Sequence, residues 1–361
     1  MRRRSAAATV GRMETTYAII GVQPGDHTAR ALSALEEQLR AAGWRTADAD
    51  DAALVLHVVD PARPRAFRRR ARSTYVAAVC ELPSGARPQL VDTYPLLVRS
   101  LSNIVLCATP AGTWFTTMER GFYRVDDASL LDHLLPLAGS KLVIENEFRT
   151  DLEPELWDGD EISESIRDAG RAVDALGLLP APFPIEDLLD ERDLRHVKLL
   201  YGIGGLSYGN LSARKDAERF WMSASGVDKG SLERAGRDIL LVSGYDAERG
   251  TIVLSVPPVV EPKRVSVDAI EHWMIYRQHP GIGAILHVHG WIDGIRSTHL
   301  NFPCGSEELA VAVSDALARE PDPVHAVIGL HNHGITATGE SLPEILERIG
   351  SMIRPQVPMS G

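Results

Sequence analysis

Ala284-Ile285-Leu286-His287-Val288-His289-Gly290 is the stretch whose reading decides the second half of the chain. It is apolar, contains β-branched residues, and follows a helical segment closed by Pro280. Together these features predict a strand. Side chains alternate faces along a strand, so His287 and His289 project to the same side, about 7 Å apart. A second buried strand is expected at Val327 to Leu330, running into His331-Asn332-His333-Gly334, where again two histidines share a face. Two neighbouring strands of this kind present imidazoles to one point. Neutral imidazole nitrogen suits zinc, iron, cobalt or manganese, and three protein ligands leave one position open for a substrate. The helix before the first pair is expected to start near Ser266 as N-cap, with Asp268 in its first turn and His272 one turn later. A carboxylate there is placed to bind the ion or to move a proton. One such pair alone is as well read as ordinary surface or core histidine; two pairs at the ends of apolar strands favour a metal.

Outward from this stretch, strands and helices alternate from about residue 187 to 350. Upstream, Ile162, Ile166, Ala169, Val173 and Leu176 recur at helical spacing and predict one amphipathic helix, ended by Gly177. Pro180 to Pro184 reads as a rigid connector. Residues 147–160 are acidic and aperiodic, and a domain boundary is expected there. Before it, strands are predicted at 15–22, 53–59, 75–80 and 103–109. Helices are predicted around Leu32 to Leu39, at Asp92 to Ser102 and at Leu130 to Leu137. Alternation of this kind implies a small α/β, Rossmann-like domain with a mostly parallel sheet over residues 14–150. Residues 1–13 read as a flexible tail, and 155–361 as the second domain. Gly21 to Gly25 lies between a strand and a helix, but matches neither common phosphate-loop pattern. Arg63 to Arg72 reads as a basic helix or loop with a solvated face.

The chain has 361 residues, enough for two cores. Its net charge of −11 gives it no general pull toward nucleic acid or an anionic membrane. No apolar run approaches the roughly 20 residues needed to span a bilayer. Cys80, Cys107 and Cys304 are far apart and form no CxxC pair, which argues against a thiolate metal site and suits a reducing cytoplasm. The basic start, Arg2 to Arg4, lacks an apolar segment after it, so no signal peptide is read.

Residues 205–230, 266–290 and 326–340 together resemble the class II aldolase/adducin family, and the likeness spans most of residues 160–350. The resemblance implies a layered α/β/α fold and a divalent ion, usually Zn2+ and otherwise Mn2+, Co2+ or Fe2+. It implies His287, His289 and His333 as ligands. It places Asp268 at the fourth position as ligand and proton carrier, where the aldolase branch has Glu and the ribulose-phosphate epimerase branch more typically Asp. A phosphate pocket is implied at Ser207, Gly209, Asn210, Ser225, Gly226 and Ser266. Tight glycine turns with serine and asparagine donors suit an anion, and Ser212, Lys229 and Arg214 are further candidates there. Val267 stands where the family has a second serine, and the interval between His289 and His333 is short, so a phosphate on the substrate is not required. The implied activity is a metal-dependent lyase acting on a hydroxylated carbonyl compound or sugar phosphate through an enediolate. Alternatives are an epimerase, a non-haem iron oxygenase or decarboxylase, and a non-catalytic adducin-like scaffold. A homo-oligomer, tetramer or dimer, in the cytoplasm is implied. His299 and Cys304 follow the metal strand and are read as possible pocket lining, while Trp221 and Trp273 are read as core.

Overall fold

A computed structural model describes residues 15–71, 74–82, 87–117, 121–177, 187–195 and 209–360. The Pro180–Pro184 connector and Ser207 lie outside the described residues, as does the whole of the expected tail at 1–13. The chain builds a mixed α/β structure around two sheets.

The first sheet collects β1 (Thr16–Gly21), β2 (Arg45–Thr46), β3 (Leu54–Val58), β4 (Tyr75–Glu81), β5 (Ile104–Thr109), β6 (Gly112–Thr117) and β7 (Phe122–Val125). Their order is β2-β1-β3-β4-β5-β6-β7. The first five are parallel, as continuous apolar runs such as Leu54–Val58 require when both faces are covered. Helices α1 (Asp26–Ala41), α2 (Leu90–Ser100) and α3 (Leu130–Ala138) pack against this sheet. Leu32, Leu35 and Leu39 of α1 are buried at the expected helical spacing, and Gly43 leaves the helix at φ +83°. Strands β6 and β7 are antiparallel and have no counterpart in the sequence reading. A two-residue turn at Pro110-Ala111 joins β5 to β6, with Thr109 Oγ1 donating to Gly112 O and accepting from Ala111 N. The basic stretch from Arg63 forms no helix or strand in its described part.

The second sheet contains β8 (Glu145–Arg149), β9 (Asn210–Arg214), β10 (Phe220–Ser223), β11 (Ile239–Asp246), β12 (Thr251–Ser255), β13 (Ala284–Val288), β14 (Arg296–Ser297), β15 (Val327–Leu330) and β16 (Gly334–Gly339). Their order is β14-β15-β16-β13-β9-β10-β11-β12-β8. Residues 145–149, expected on the first side of the boundary, pair with β12 in this second sheet. Helices α4 (Glu161–Ala175), α5 (Ala269–Gln278), α6 (Glu307–Leu317) and α7 (Leu342–Ile349) pack against this sheet. Asp160 caps α4, accepting from Ser163 N while Ser163 Oγ accepts from Asp160 N. That helix buries Ile166, Ala169 and Val173, and leaves Leu176 exposed at its C-cap.

Two details depart from the sequence reading, and both shape the site. His331-Asn332-His333 is a turn rather than strand, with Asn332 at φ +56°. The chain therefore reverses after β15, and β16, not β15, is the neighbour of β13. The helix expected to start near Ser266 starts at Ala269, with Asp268 at its N-cap position. Asp268 makes no cap bond, because its carboxylate is engaged elsewhere.

Candidate metal centre

His287 lies on β13, fully buried at the middle of the second sheet. Its Nδ1 lies 3.0 Å from Ile335 O. A carbonyl only accepts, so Nδ1 carries the hydrogen and Nε2 presents its lone pair. His289 follows just past the end of β13 on the same face, and His333 closes the β15–β16 turn. Ring centroids of the three are 4.7 to 5.1 Å apart. One ligand atom from each lies within 4.8 Å of the others. Two glycines let the backbone come this close. A side chain at Gly209 would strike His287 O at 2.5 Å, and one at Gly334 would strike Val288 O at 2.4 Å.

The cluster has the chemistry of a cation site. Burial pushes all three imidazoles below their usual range. Neighbouring imidazoles add to this at His289 and His333, while Asp268 partly opposes it at His287. All three are therefore neutral and able to donate lone pairs near neutral pH. His333 Nε2 and His289 Nε2 are 3.1 Å apart. Two nitrogens sharing a tetrahedral ion at about 2.0–2.1 Å would sit about 3.3 Å apart. His287 Nε2 is buried and has no hydrogen-bond partner among the described residues. Such an atom carries a desolvation penalty unless something binds it. The residues present thus fit a divalent ion.

Asp268 stands beside the triad, 5% exposed. Its Oδ2 accepts from Asn210 Nδ2 at 2.8 Å and its Oδ1 from Gly305 N at 3.2 Å. Asn210 is thus turned toward the carboxylate rather than toward a bound anion. Gly226, at φ +65°, makes the expected turn with an exposed Ser225, whose N donates to Arg264 O. Ser266 is buried and its N donates to Ser223 O. Arg214 is tied to the carbonyls of Ile282, Tyr276 and His279 and offers the pocket no charge. Ser212 bonds His272 Nδ1 and Tyr276 Oη, a buried support beneath β9. Lys229 is buried under the Ser225-Gly226 turn, with Nζ donating to Ala224 O and Val227 O. Burial lowers its pKa to about 8, against the pull of Asp228 and Asp268. His299 is exposed, whereas Cys304 Sγ reaches His333 Nε2 at 3.2 Å.

Glu271 is the residue that sequence reasoning passed over. It lies one helical turn after Asp268, 2% exposed, and accepts from Thr336 Oγ1 at 2.6 Å. Burial and the Asp268 charge push its carboxyl up to about 8, against the Thr336 bond. The i, i+3 spacing of Asp268 and Glu271 was the available signal. The folded chain holds this proton between the ordinary value of 4.5 and about 8, where the unfolded chain releases it. Stability therefore falls as pH rises through that window. Glu271→Gln, which mimics the protonated form, is expected to flatten that fall by on the order of a few kcal/mol. Denaturant midpoints of metal-stripped protein at about pH 5 and about pH 9 measure it; equal pH slopes in both proteins would refute it.

Comparison with known proteins follows from this geometry. The family description "Class II Aldolase and Adducin N-terminal domain" matches residues 195–291. The matched segment carries Asp268, His287 and His289. Methylthioribulose-1-phosphate dehydratase of Leptospira biflexa is 37% identical over 102 residues, 28% of this chain and 43% of that protein. The enzyme of the same name from Xanthomonas campestris pv. campestris is 34% identical over 88 residues, 24% of this chain and 35% of its own. The chain thus spans less than half the length of these curated relatives. Among solved structures, an L-fuculose 1-phosphate aldolase aligns over 54% of this chain and 84% of its own, at 19% identity and a TM-score of 0.35. A likeness that low carries no weight. The family match begins at residue 195, beyond the whole first sheet. Among the described residues no helix is long and apolar enough to cross a membrane.

Proposed function

We propose that this chain is a divalent-metal-dependent lyase acting on a hydroxylated carbonyl compound. The observation that carries the reading is the meeting of three buried, neutral imidazoles, His287, His289 and His333, beside a carboxylate held by two donors. A bound ion of this kind, zinc by family habit, supplies Lewis acidity toward a carbonyl oxygen. Asp268 takes or returns the proton at the carbon next to that carbonyl. Asn210 and the Gly305 N–H hold its carboxylate in place. Lys229, buried under the Ser225-Gly226 turn, adds positive potential where an anionic substrate group would rest. Gly209, Ser225, Gly226 and Ser266 are the proposed phosphate-side residues, joined by Ser207, which lies outside the described residues.

Carbon–carbon cleavage is the first reading. Loss of water from a hydroxylated ketone is the second, favoured by the names of the relatives at 34 and 37% identity. Both use Asp268 at the same carbon: dehydration begins when it removes that carbon's proton, and cleavage ends when it returns one there. The proposal includes a division into a first α/β unit around the seven-stranded sheet and a second around the nine-stranded sheet. It also includes a homo-oligomer in the cytoplasm.

The test is elemental analysis of protein purified without chelator, followed by a screen for carbonyl release and for dehydration. Substrates would be hydroxylated ketones with and without phosphate. About one divalent ion per chain is expected, with turnover lost in Asp268→Asn. A chain that takes up no divalent ion, or turnover that survives both chelation and that substitution, would sink the reading.

A further inference from the structure

Among the described residues, Cys304 is a chemistry-bearing side chain at the cluster that the reading above leaves unused. Its Sγ lies 3.2 Å from His333 Nε2. A sulfur and a nitrogen on one tetrahedral ion, at about 2.3 Å and about 2.0–2.1 Å, stand about 3.5 Å apart. The contact therefore has close to the spacing of two ligands of one cation.

The backbone that carries the thiol is firmly placed. Pro303 precedes it, and Pro303 O accepts from Ser306 N. Gly305 follows at φ +75°, where an added Cβ would meet Val267 O at 2.9 Å. Gly305 O accepts from Val143 N, and Ser306 caps α6 by accepting from Leu309 N. Gly305 N donates to Asp268 Oδ1. Asp268 thus stitches the Cys304 segment to the helix beside the triad. Each carboxylate oxygen accepts one of these bonds, which anchors the segment and leaves further lone pairs for the proton transfer proposed above. What remains adjustable at Cys304 is χ1, a single torsion. An independent observation marks this place as a ligand site: His287 Nε2 is fully buried and has no hydrogen-bond partner among the described residues.

We propose that Cys304 is the fourth protein ligand of the ion held by His287, His289 and His333, giving a His3Cys centre with Asp268 as the residue that positions the thiolate. The inference rests on the metal reading given above. On binding, the S–H proton is released to solvent as the sulfur–metal bond forms, so charge and atoms balance. An ion held by these four side chains would supply Lewis acidity toward a substrate oxygen. A soft thiolate also biases the centre toward zinc, cobalt or iron and away from magnesium or manganese.

Cobalt(II) reports sulfur ligation directly. Metal-stripped full-length protein is titrated with cobalt(II) alone, anaerobically and with a reductant that does not bind metal, and the absorption spectrum recorded. The expected result is visible ligand-field bands of a four-coordinate ion, together with a sulfur-to-cobalt charge-transfer band in the near ultraviolet. Cys304→Ser should keep the visible bands and lose the charge-transfer band, with cobalt affinity down about 10-fold to 100-fold. Should that variant fold poorly, zinc-edge X-ray absorption on the wild type distinguishes one sulfur neighbour from none. Visible bands without charge transfer in the wild type would overturn the cysteine proposal and leave the three histidines standing. Charge transfer that persists in Cys304→Ser would also overturn it, since the sulfur would then come from another residue. Absence of any cobalt spectrum would overturn the metal reading itself, and this proposal with it.

Discussion

His289→Ala is expected to lower zinc affinity by at least about 100-fold. Loss of an outer partner of a ligand already costs about 10-fold to 100-fold, and here the ligand itself goes. His289 follows β13 at the centre of the cluster, with its ring 5.1 Å from that of His287 and 4.7 Å from that of His333. Both remaining imidazoles are buried, so no solvent-side group can take its place without moving the sheet. Water entering the vacated volume supplies a weaker ligand than imidazole. The measurement is equilibrium dialysis against zinc with elemental analysis of the protein. His299→Ala, at an exposed position on the segment after β13, is the matched control and should bind as the wild type does. Equal zinc affinity in His289→Ala and wild type would remove the basis of the proposed chemistry. Any carbonyl-releasing or dehydrating turnover found for the wild type should disappear in step with the metal.

Trp221→Ala is expected to destabilise the fold by about 3–5 kcal/mol, the range for truncating a large buried aromatic side chain. Trp221 is fully buried on β10, and its Nε1 donates to Asp160 Oδ2 at 3.1 Å. The same Oδ2 accepts from Lys215 Nζ at 2.7 Å, and Asp160 caps α4. Burial works to raise the Asp160 pKa, but Lys215, the Ser163 N–H and Trp221 outweigh it, so the group is held below its ordinary value. Truncating Trp221 therefore opens a cavity in the core of the second sheet and loosens the cap of the helix packed on it. Trp221→Phe keeps most of the volume and loses the hydrogen bond, which is worth about 1 kcal/mol. Urea midpoints for the three proteins at neutral pH give the ordering wild type, Phe, Ala. An Ala variant within about 1 kcal/mol of wild type would mean that this part of the core is not packed as described.

Sequence pattern was enough to place β13, because an apolar run with β-branched residues after a Pro-closed helix has few other solutions. It also placed β1, β3, β4, β5 and α1 of the first sheet, the α4 stripe and the shared face of His287 and His289. Each of these depends only on the local period of side chains along a helix or strand. The hairpin of β5 and β6 was not visible, since its turn at Pro110-Ala111 has no Asn-Gly or Asp-Gly signal. The membership of 145–149 was not visible either, because strand pairing across a hundred residues leaves no local trace.

The site divides along the same line. His287, His289, His333 and Asp268 were named from residue type and spacing, with the family resemblance supplying their roles. Tertiary structure alone decided that His331 stays apart from the cluster, because the turn at Asn332 swings only His333 inward. It alone turned Asn210 and the Gly305 N–H onto Asp268, buried Glu271 below them, and brought Cys304 against His333 from a different segment. Local spacing determines which way a side chain faces. Which distant segments share one buried volume is set by packing the whole sheet, and no short window of sequence contains that information.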